Sequence, residues 1–471
     1  MNSVKPRGGE EIEVVLGAVA AGGKTVVRQD GYVIFVRGGV PGDRVRIRMG
    51  RRRRAYGEAR VIEVLEPSAH RVEPRCSSFG VCGGCSHQDL EYAEQLVAKR
   101  AIVHDTLTRT GGLKGIEVEP CAPSPQVFHY RNKMEFSFAR RRWLSRDEID
   151  SGVDGQRAAA LGLHVPRIFD KVLEIPNCHI HDPRCDAILE VTREFAESSG
   201  REAYDTRAKL GYWRFLVLRT GTATGDLMVH VVTAYWDPEL MQSYVERLQE
   251  RFEGITTIIN GIAPRPASAV IVDESHLLVG PGTIVDEIGG LEFEISAASF
   301  FQPNTRAADV LYERVAAEAG DLSGKRVFDL YSGAGTISLY LARRAESVVG
   351  LELVEPAVEN ARRNAKRNGI YNAAFTVGDV RGTLGNAVKR HGPPDVLVLD
   401  PPRAGNHPKV VEAIVKLAPP RIVHVSCNPA TLARDLAVLA DAGYRAERVW
   451  PVDLFPHTPH VEVVVALDRS S

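Results

Sequence analysis

The chain has 471 residues, 44% of them apolar and 25% charged, with a formal net charge of −1. This composition predicts a globular protein of about two to four domains and excludes an overall polyanion-binding character. The polar start at Met1–Lys5 and the lack of an apolar run of ~20 residues predict neither a signal peptide nor a membrane span. We therefore expect a cytoplasmic monomer without a membrane partner.

Residues 1–68 carry the pattern of a small β-barrel. Short alternating runs such as 32–36 are separated by glycines and by a Pro-Gly-Asp turn at 41–43, which predicts an OB-like fold. Alternation over 43–48 gives one strand a face of arginines, and four more follow at 51–54. A solvated face is the plain alternative, but an arginine-lined barrel favours nucleic-acid binding.

Three of the seven cysteines lie close together after this barrel. Cys76, Cys82 and Cys85 have the spacing Cys-x5-Cys-x2-Cys with two glycines between the last two, which suits a loop that directs several sulfurs at one metal centre. Cys178 is the first candidate for a fourth ligand, followed by Cys185 and Cys121. Four thiolates suit zinc or an iron–sulfur cluster, and spacing does not decide between them. The remaining cysteine usage argues against a disulfide scaffold.

The middle of the chain, 69–292, predicts an α+β region. A helical pattern runs from Leu90 to about Gly112, and a second helix covers about 238–252 between β-rich runs. Arg131 and Lys133 are candidate phosphate contacts, although a solvated run of charges is the default interpretation.

From 293 to 471 the pattern changes to alternating strands and helices, which predicts a mostly parallel sheet with ligands at the carboxyl ends of its strands. The first predicted strand leads into a glycine-containing loop at 329–336, which includes Tyr331 and Thr336. Glu352 ends the second strand and Asp379 follows the third. The loop lacks the third glycine of a dinucleotide motif, so a single-nucleoside cofactor, S-adenosylmethionine, fits best.

Cys427 lies in Ser426-Cys427-Asn428-Pro429, between an apolar strand and a helix. Asn428 is the predicted N-cap and Pro429 the first helical residue, so free N–H groups should favour the thiolate. A lone buried cysteine is usually structural. Here the preceding strand ends in Asp400-Pro-Pro-Arg, which favours a reactive role.

Taken together, several motifs resemble the RNA uridine-C5 methyltransferases over essentially the whole chain. They comprise the three-cysteine loop, the runs at 130–136, 299–304 and 400–403, Ser426–Pro429, and Phe455-Pro-His-Thr-x-His-Val-Glu462. The resemblance implies an amino-terminal TRAM domain, an α+β central RNA-binding domain and a Rossmann-like methyltransferase domain of the α/β class.

The resemblance also implies roles for individual residues. Cys427 matches the family's nucleophile and Glu462 its base. Positions lining the cofactor site match Gln302, Tyr331, Glu352, Asp379 and Asp400, and Thr336 belongs to the same loop. The ligands of a [4Fe-4S] cluster match Cys76, Cys82, Cys85 and Cys178. Ser332 and Pro303 depart from the family's common residues without touching this chemistry.

The implied reaction needs both groups, because uracil C5 is a poor nucleophile until a thiolate adds to C6. Glu462, between two valines, should have a raised pKa suited to removing the C5 proton. The target uridine must be looped out or flipped, and Phe300, Phe301 and Phe455 are candidate stacking surfaces.

Relatives without a cluster methylate tRNA, whereas cluster-bearing bacterial members mostly act on large-subunit rRNA, so 23S rRNA is the predicted substrate and tRNA the alternative. A second enzyme interpretation is an amino-methyltransferase, in which Asp-Pro-Pro is usually followed by an aromatic residue; here Arg403 follows. A non-catalytic RNA-binding or ribosome-assembly protein is the remaining alternative.

Overall fold

A computed structural model of the chain describes residues 6–113, 115–166, 168, 170–205, 207–267 and 269–470. Three sheet-containing regions follow one another along the sequence. No helix within these ranges has the length and apolar character needed to cross a lipid bilayer.

The amino-terminal region is a five-stranded sheet in the order β1-β4-β5-β3-β2. Its strands are β1 (Glu11–Val15), β2 (Thr25–Gln29), β3 (Tyr32–Arg37), β4 (Arg44–Arg52) and β5 (Tyr56–Glu66). Alternate residues of β3, namely Tyr32, Ile34 and Val36, are buried, as expected for a sheet with one face turned to a core. The sheet is compatible with the predicted OB-like barrel.

A helix connects this sheet to the middle of the chain. Helix α1 (Tyr92–Asp105) runs directly into a π-helical turn, Thr106–Thr110, and Gly111 follows. The predicted segment 90–112 therefore forms, with its last turn wound more widely than an α-helix. The next strand, β6 (Glu117–Val118), is short.

The central region is a seven-stranded sheet with helices against one face. The sheet order is β13-β12-β11-β10-β7-β8-β9. Its elements are β7 (Lys133–Arg141), α2 (Arg146–Asp150), β8 (Gln156–His164), β9 (Val172–Leu173), α3 (Arg184–Ser198), β10 (Trp213–Thr220), β11 (Leu227–Thr233), α4 (Pro238–Arg251), β12 (Thr257–Ile262) and β13 (Glu274–Val279).

The carboxyl-terminal region begins with a hairpin and continues as alternating strands and helices. Its elements are β14 (Thr283–Ile288), β15 (Leu291–Ser296), α5 (Thr305–Ala319), β16 (Arg326–Leu330), α6 (Thr336–Ala342), β17 (Ser347–Glu352), α7 (Glu355–Arg367), β18 (Ala373–Val377), α8 (Val380–His391), β19 (Val396–Leu399), α9 (Pro408–Leu417), β20 (Arg421–Ser426), α10 (Pro429–Asp441), β21 (Tyr444–Arg445), β22 (Arg448–Val452) and β23 (Glu462–Arg469).

The large sheet of this region has the order β18-β17-β16-β19-β20-β23-β22-β6. Strands β16 to β20 run parallel, whereas β23 is antiparallel to β20. This is the predicted α/β methyltransferase-type fold with a mostly parallel sheet. Strands and helices alternate along this region, as the sequence pattern from 293 onward predicts.

Two segments that the sequence analysis assigned to the central region pack with the carboxyl-terminal sheet. Strand β6 pairs with β22. The hairpin β14-β15 contributes Ile284, Leu291 and Phe293 to the core that also contains Leu311 and Val358 of the carboxyl-terminal helices. The boundary predicted at 292/293 therefore falls inside β15, because the hairpin needs α5 and α7 to cover its apolar face.

Candidate active site

A cleft of about 850 Å³ opens at the carboxyl ends of the parallel strands. It is lined by residues from several separate segments of the chain. The predicted catalytic and cofactor residues that line it are Gln302, Tyr331, Thr336, Glu352, Asp379, Asp400, Cys427 and Glu462. The structure thus brings every predicted residue of this site to one cavity.

The loop between β16 and α6 forms one wall of the cleft. Tyr331 has a φ of 68° and Gly335 a φ of 81°, so the chain turns sharply before the helix. A Cβ at Gly335 would lie 2.9 Å from the Phe375 ring, so glycine is needed at this point. The backbone N–H of Tyr331 donates to the carbonyl of Leu351 at 2.9 Å. These contacts hold the loop against the end of β17.

Glu352 is fixed at the end of β17. Its carboxylate accepts hydrogen bonds from the N–H groups of Gly333 at 3.0 Å and Val354 at 2.8 Å. Leu353 and Val354 follow it, are 63% and 53% exposed, and line the cleft. Exposed apolar side chains beside a fixed carboxylate suit a planar base with an attached sugar.

Asp379 has a different electrostatic environment. It is the N-cap of α8, where its carboxylate accepts a hydrogen bond from the N–H of Arg381 at 2.9 Å. The Arg381 side chain also binds this carboxylate and lowers the pKa of Asp379 to about 2. The carboxylate therefore stays ionised at neutral pH.

Three further acids line the cleft: Asp329 and Glu462 are buried, and Asp400 is partly buried. Burial raises the pKa of Asp329 to about 7, that of Asp400 to about 6 and that of Glu462 to about 8. The charge of Asp400 adds to the shift in both of the others. Oδ2 of Asp329 accepts from the Ser338 hydroxyl at 2.5 Å, but Oδ1 has no hydrogen-bond partner among the described residues. Such a group of carboxylates suits a cationic ligand.

Cys427 lies between β20 and α10, half-buried in the cleft. Asn428 caps the helix as predicted, with Oδ1 accepting from the N–H of Ala430 at 3.1 Å. The predicted stabilisation of the thiolate is wrong for this arrangement. The pKa of Cys427 is raised to about 11, mainly by burial and also by the charges of Glu462 and Asp400, whereas Arg403 lowers it. Burial and the nearby carboxylates therefore disfavour the thiolate.

Glu462 is the first residue of β23 and is 5% exposed. Ser426 pairs with Val463 across β20 and β23, so their neighbours Cys427 and Glu462 lie at the same end of adjacent strands. Both side chains line the cleft. The raised pKa of Glu462 has the direction that its valine neighbours predict.

The three aromatic residues predicted to stack on the uridine differ in their exposure. Phe300 is 67% exposed and lines the cleft, as does the half-buried Phe455. Phe301 is 6% exposed, and its ring packs 6.0 Å from that of Phe293 in the core. The prediction of a stacking role for Phe301 is therefore wrong, because the side chains of these two neighbouring residues point in different directions, Phe300 to the cleft and Phe301 to the core.

Several residues of the cleft were not predicted from the sequence. Asp329 had a usable signal, a charged residue within the apolar strand 327–330, and its carboxylate faces the cavity. Asn360 lines the cleft and is 3% exposed, but it lies in the middle of α7, where no motif marks it. His407, which also lines the cleft, gave no signal either.

The four predicted metal ligands meet at a second, small cavity of about 40 Å³, lined in part by Cys76, Cys82, Cys85 and Cys178. Cys185 and Cys121, the other candidates for the fourth ligand, are buried and do not line it. In the described parts of the chain, no set of three or more His, Cys, Asp or Glu side chains has the arrangement of a metal-ion site.

Two of these sulfurs already accept hydrogen bonds. The N–H of Gly84 donates to Cys82 Sγ at 3.2 Å, and Nε2 of Gln88 donates to Cys85 Sγ at 3.3 Å. Burial raises the pKa of Cys85 to about 12 and that of Cys178 to about 11. The four thiols are half-buried around one small cavity, and two of them have N–H donors toward sulfur.

The basic surfaces are partly neutralised. The arginines of β4 do form one exposed face, but Arg44 pairs with Glu13 and Glu66, Arg46 with Glu13 and Glu63, and Arg48 with Glu11. Lys133 forms an ion pair with Glu135. The run 51–54 is exposed at the end of β4.

A third cavity, of about 750 Å³, lies on the central sheet. Its lining includes Arg140, Arg141 and Arg207 together with the aromatic side chains of Tyr204 and Phe215. Arg140 is paired with Glu202. Arginines beside aromatic rings are a common surface for RNA.

Comparison with known proteins connects this geometry to a family. The sequence profile of the tRNA (uracil-5-)-methyltransferases matches residues 222–379 and 385–470. An RNA methyltransferase of Chlorobaculum tepidum, named as uncharacterized, is 41% identical over 434 residues, 91% of this chain and 90% of its own length. One from Porphyromonas gingivalis, named likewise, is 42% identical over 462 residues, 96% of this chain and 99% of its own.

A solved structure is also similar over the full length. It is the Pyrococcus abyssi tRNA (uracil-54, C5)-methyltransferase in complex with S-adenosyl-L-homocysteine. The TM-score is 0.72 at 28% sequence identity, and the match covers 97% of this chain and 100% of the other.

Proposed function

The chain belongs to the tRNA (uracil-5-)-methyltransferase family of S-adenosylmethionine-dependent RNA methyltransferases, and from this premise we propose that it methylates uracil C5 in RNA through a covalent bond to Cys427. The observation that carries this proposal is the pair formed by Cys427 and Glu462. These residues lie at the same end of adjacent strands, in one cleft with the cofactor loop. An amino-methyltransferase would need neither of them.

The cleft fits S-adenosylmethionine, which supplies a methyl group on a cationic sulfur. Glu352 is proposed to bind the ribose hydroxyls, with Leu353 and Val354 beside the adenine. The unpartnered Oδ1 of buried Asp329 supports a positively charged ligand at this end of the cleft. The proposed cofactor site also includes Tyr331, Thr336 and Asp379. We propose that Gln302 and Asp400 position the cofactor or the edge of the uracil.

The proposed reaction begins when the Cys427 thiolate adds to uracil C6. A sulfur–carbon bond forms, and the electrons of the C5–C6 double bond move toward O4, leaving C5 nucleophilic. C5 then takes the methyl group from the sulfonium sulfur of S-adenosylmethionine; the S–CH3 bond breaks, and S-adenosylhomocysteine leaves. The Glu462 carboxylate removes the C5 proton, the C5–C6 double bond returns, and the Cys427 thiolate leaves. The raised pKa of Glu462 makes its carboxylate a stronger base than an exposed glutamate.

The target base has to leave its stack, because a half-buried thiol cannot reach C6 within a duplex. Phe300 and Phe455 border the cleft and are the proposed stacking surfaces for a flipped or looped-out uridine. The exposed arginines at 51–54 and the cavity on the central sheet supply the proposed RNA contacts, in a TRAM-like barrel and the central region.

The proposed substrate is 23S rRNA, in keeping with the resemblance to cluster-bearing bacterial members of the family. One observation favours tRNA instead. The Pyrococcus abyssi enzyme, similar over the whole chain, is named for uracil 54 of tRNA. Both substrates require the same chemistry at uracil, so the site itself does not discriminate between them.

The test is to incubate the protein with methyl-labelled S-adenosylmethionine and either 23S rRNA or tRNA from a strain that lacks the gene, and then to map labelled nucleosides by mass spectrometry. The proposal predicts 5-methyluridine, in rRNA if the first assignment holds. Label only on tRNA would select the alternative. RNA binding without any transfer would indicate a non-catalytic RNA-binding or ribosome-assembly protein.

We also propose that Cys76, Cys82, Cys85 and Cys178 hold a [4Fe-4S] cluster. Their shared cavity and the N–H donors toward two of the sulfurs support this assignment over four unrelated thiols. Anaerobic purification should give brown protein with about four iron and four sulfide per chain. Colourless protein that contains one zinc ion per chain would contradict the cluster.

A further inference from the structure

The segment that joins β22 to β23, residues 453–461, forms part of the nucleobase end of the cleft and is held from outside its own sheet. It carries Phe455 and leads directly into Glu462. Lys99 of α1 donates from Nζ to Asp453 Oδ1 at 2.5 Å and to the carbonyl of Phe455 at 3.0 Å. Lys99 is 1% exposed and Asp453 0%. This buried ion pair fixes the start of the segment.

Gln95, one turn earlier on α1, links the same segment to the end of the cysteine loop. Its Nε2 donates to the carbonyls of His87 at 2.9 Å and Leu90 at 2.8 Å. Its Oε1 accepts from the N–H of His457 at 2.8 Å. Gln95 is 1% exposed, so water cannot replace these bonds without opening the structure.

The cysteine loop also contacts the segment directly. Ser86, the residue after Cys85, donates its N–H to the carbonyl of His457 at 2.8 Å, and the N–H of His87 donates to the same oxygen at 3.0 Å. His457 has a φ of 65°, in the left-handed region that is strained for a non-glycine residue. The surrounding bonds are what hold His457 in it.

Among the residues that the structure describes, none of the cysteine loop forms a hydrogen bond to Tyr331, Glu352 or Asp379 at the cofactor end of the cleft. Tyr331, Glu352 and Asp379 follow consecutive parallel strands, and their hydrogen bonds run to residues of the same sheet and its helices. Disturbing the cysteine loop should therefore act on one end of the cleft only.

We infer that Gln95 and Lys99, together with the backbone at Ser86 and His87, are positioning residues through which the four-cysteine centre sets the placement of Phe455 and Glu462. This inference rests on the proposed function. An ordered cysteine loop would keep the 453–461 segment in its productive conformation. Its loss would lower kcat and leave cofactor affinity intact.

The experiment compares the full-length protein with Gln95→Met and with the matched control Val97→Ala, an exposed position on the same helix. Three properties are measured: S-adenosylhomocysteine affinity by calorimetry, kcat for methyl transfer, and hydrogen exchange of the peptides covering 453–461 and 331–336. Gln95→Met should lower kcat by about 10- to 100-fold. Exchange should rise at 453–461 only, with affinity within about twofold of wild type. Val97→Ala should match wild type throughout.

A second arm protects the test against a variant that does not fold. Wild-type protein whose cysteine centre has been emptied by an oxidant and a chelator should show the same pattern as Gln95→Met. Unchanged exchange at 453–461 in both arms would overturn the inference, as would a parallel loss of cofactor affinity. If wild-type protein transfers no methyl group to uracil, the proposed function fails, while the exchange and affinity measurements still decide the inference.

Discussion

The two ends of the cleft are built in different ways. At the cofactor end, Tyr331, Glu352 and Asp379 follow neighbouring parallel strands, so one sheet positions all of them. At the nucleobase end, Gln302, Cys427 and Glu462 come from separate segments, and residues of the amino-terminal half support them. Asn132 is an example, because its Nδ2 donates to the carbonyl of Gln302 at 2.8 Å.

The charge states differ in the same way. At the cofactor end, Arg381 lowers the pKa of Asp379, so this carboxylate is ionised. At the nucleobase end, burial raises the pKa of both Cys427 and Glu462, so both resist ionisation. We infer that the cofactor binds to a preformed surface. The ionisation and placement of Cys427 and Glu462, in contrast, depend on the bound substrate and on the packing of the three regions.

Of the substitutions at either end of the cleft, replacement of the proposed nucleophile Cys427 should lower the rate of methyl transfer most. Cys427→Ala is expected to lower methyl transfer to RNA by at least about a thousandfold, because the proposed mechanism depends on addition of the Cys427 sulfur to C6. Affinity for S-adenosylhomocysteine and for RNA should remain. Undiminished turnover of the purified variant would rule out the covalent mechanism.

Removing the base should have the next largest effect. Glu462→Gln is expected to lower kcat by about 10²- to 10⁴-fold and to leave RNA bonded to the protein, because the C5 proton stays in place. Gel electrophoresis under denaturing conditions would detect this adduct. Normal turnover without an adduct would show that a residue other than Glu462 removes the C5 proton.

The same substitution should change the pH dependence of stability. Because folding raises the pKa of Glu462 from 4.5 to about 8, its contribution to stability is complete below pH 4.5 and is lost as the pH rises through 8. Glu462→Gln should therefore raise the free energy of unfolding above pH 8, by on the order of 3 kcal/mol. Urea denaturation at pH 5 and pH 8.5 measures this difference. Equal stabilities at pH 8.5 would contradict the raised pKa.

At the cofactor end, Glu352→Gln should weaken S-adenosylhomocysteine binding by about 10- to 100-fold, the loss of a charged hydrogen bond or two. The kcat at saturating cofactor should change little, since the nucleobase end is untouched. A fall in kcat with unchanged affinity would mean that the two ends are not separable in this way.

The rate of a single turnover should rise with pH. In the proposed mechanism the Cys427 thiolate attacks first, and its pKa is raised to about 11, so the rate of this step is expected to increase about tenfold between pH 7 and pH 8. The rate should level off only at higher pH. A rate that is flat from pH 6 to 8 would contradict this ionisation scheme.

The smallest expected effect separates paired from unpaired arginines on the amino-terminal sheet. Arg46→Gln should leave RNA affinity almost unchanged, because Arg46 is bound to Glu13 and Glu63. Arg52→Gln, at the exposed end of β4, should weaken binding by roughly two- to fivefold and reduce its salt dependence. Filter binding at two salt concentrations distinguishes them. An equal loss of RNA affinity in both variants would mean that the ion-paired arginines of β4 also contact RNA.

The sequence was most informative where chemistry is local. The strand ends and the loop at 329–336 could be predicted because each follows an apolar strand in a repeating pattern. Cys427 and Glu462 came from motifs. The pKa of Cys427 was predicted in the wrong direction, because burial raises it most and the acids that add to the shift, Asp400 after β19 and Glu462 on β23, are brought close only by the fold.

Long-range packing explains the other differences. The hairpin β14-β15 joined the carboxyl-terminal core, and no local signal shows which helices cover a strand. The ion pairs on β4 could not be predicted for the same reason. Glu11 and Glu13 lie more than 30 residues before their partners Arg48 and Arg46, and only the pairing of β1 with β4 brings them together. Burial of Phe301 beside exposed Phe300 depends on a turn that composition does not reveal.

The central claim is that Cys427 bonds to uracil during the reaction. RNA that contains 5-fluorouridine tests it most directly, because fluorine at C5 cannot be removed as a proton and the adduct should accumulate. With S-adenosylmethionine present, the protein should shift to a stable RNA–protein band, and mass mapping of the digest should locate the bond at Cys427. Absence of that band in wild-type protein, under conditions where uridine RNA is methylated, would contradict the account.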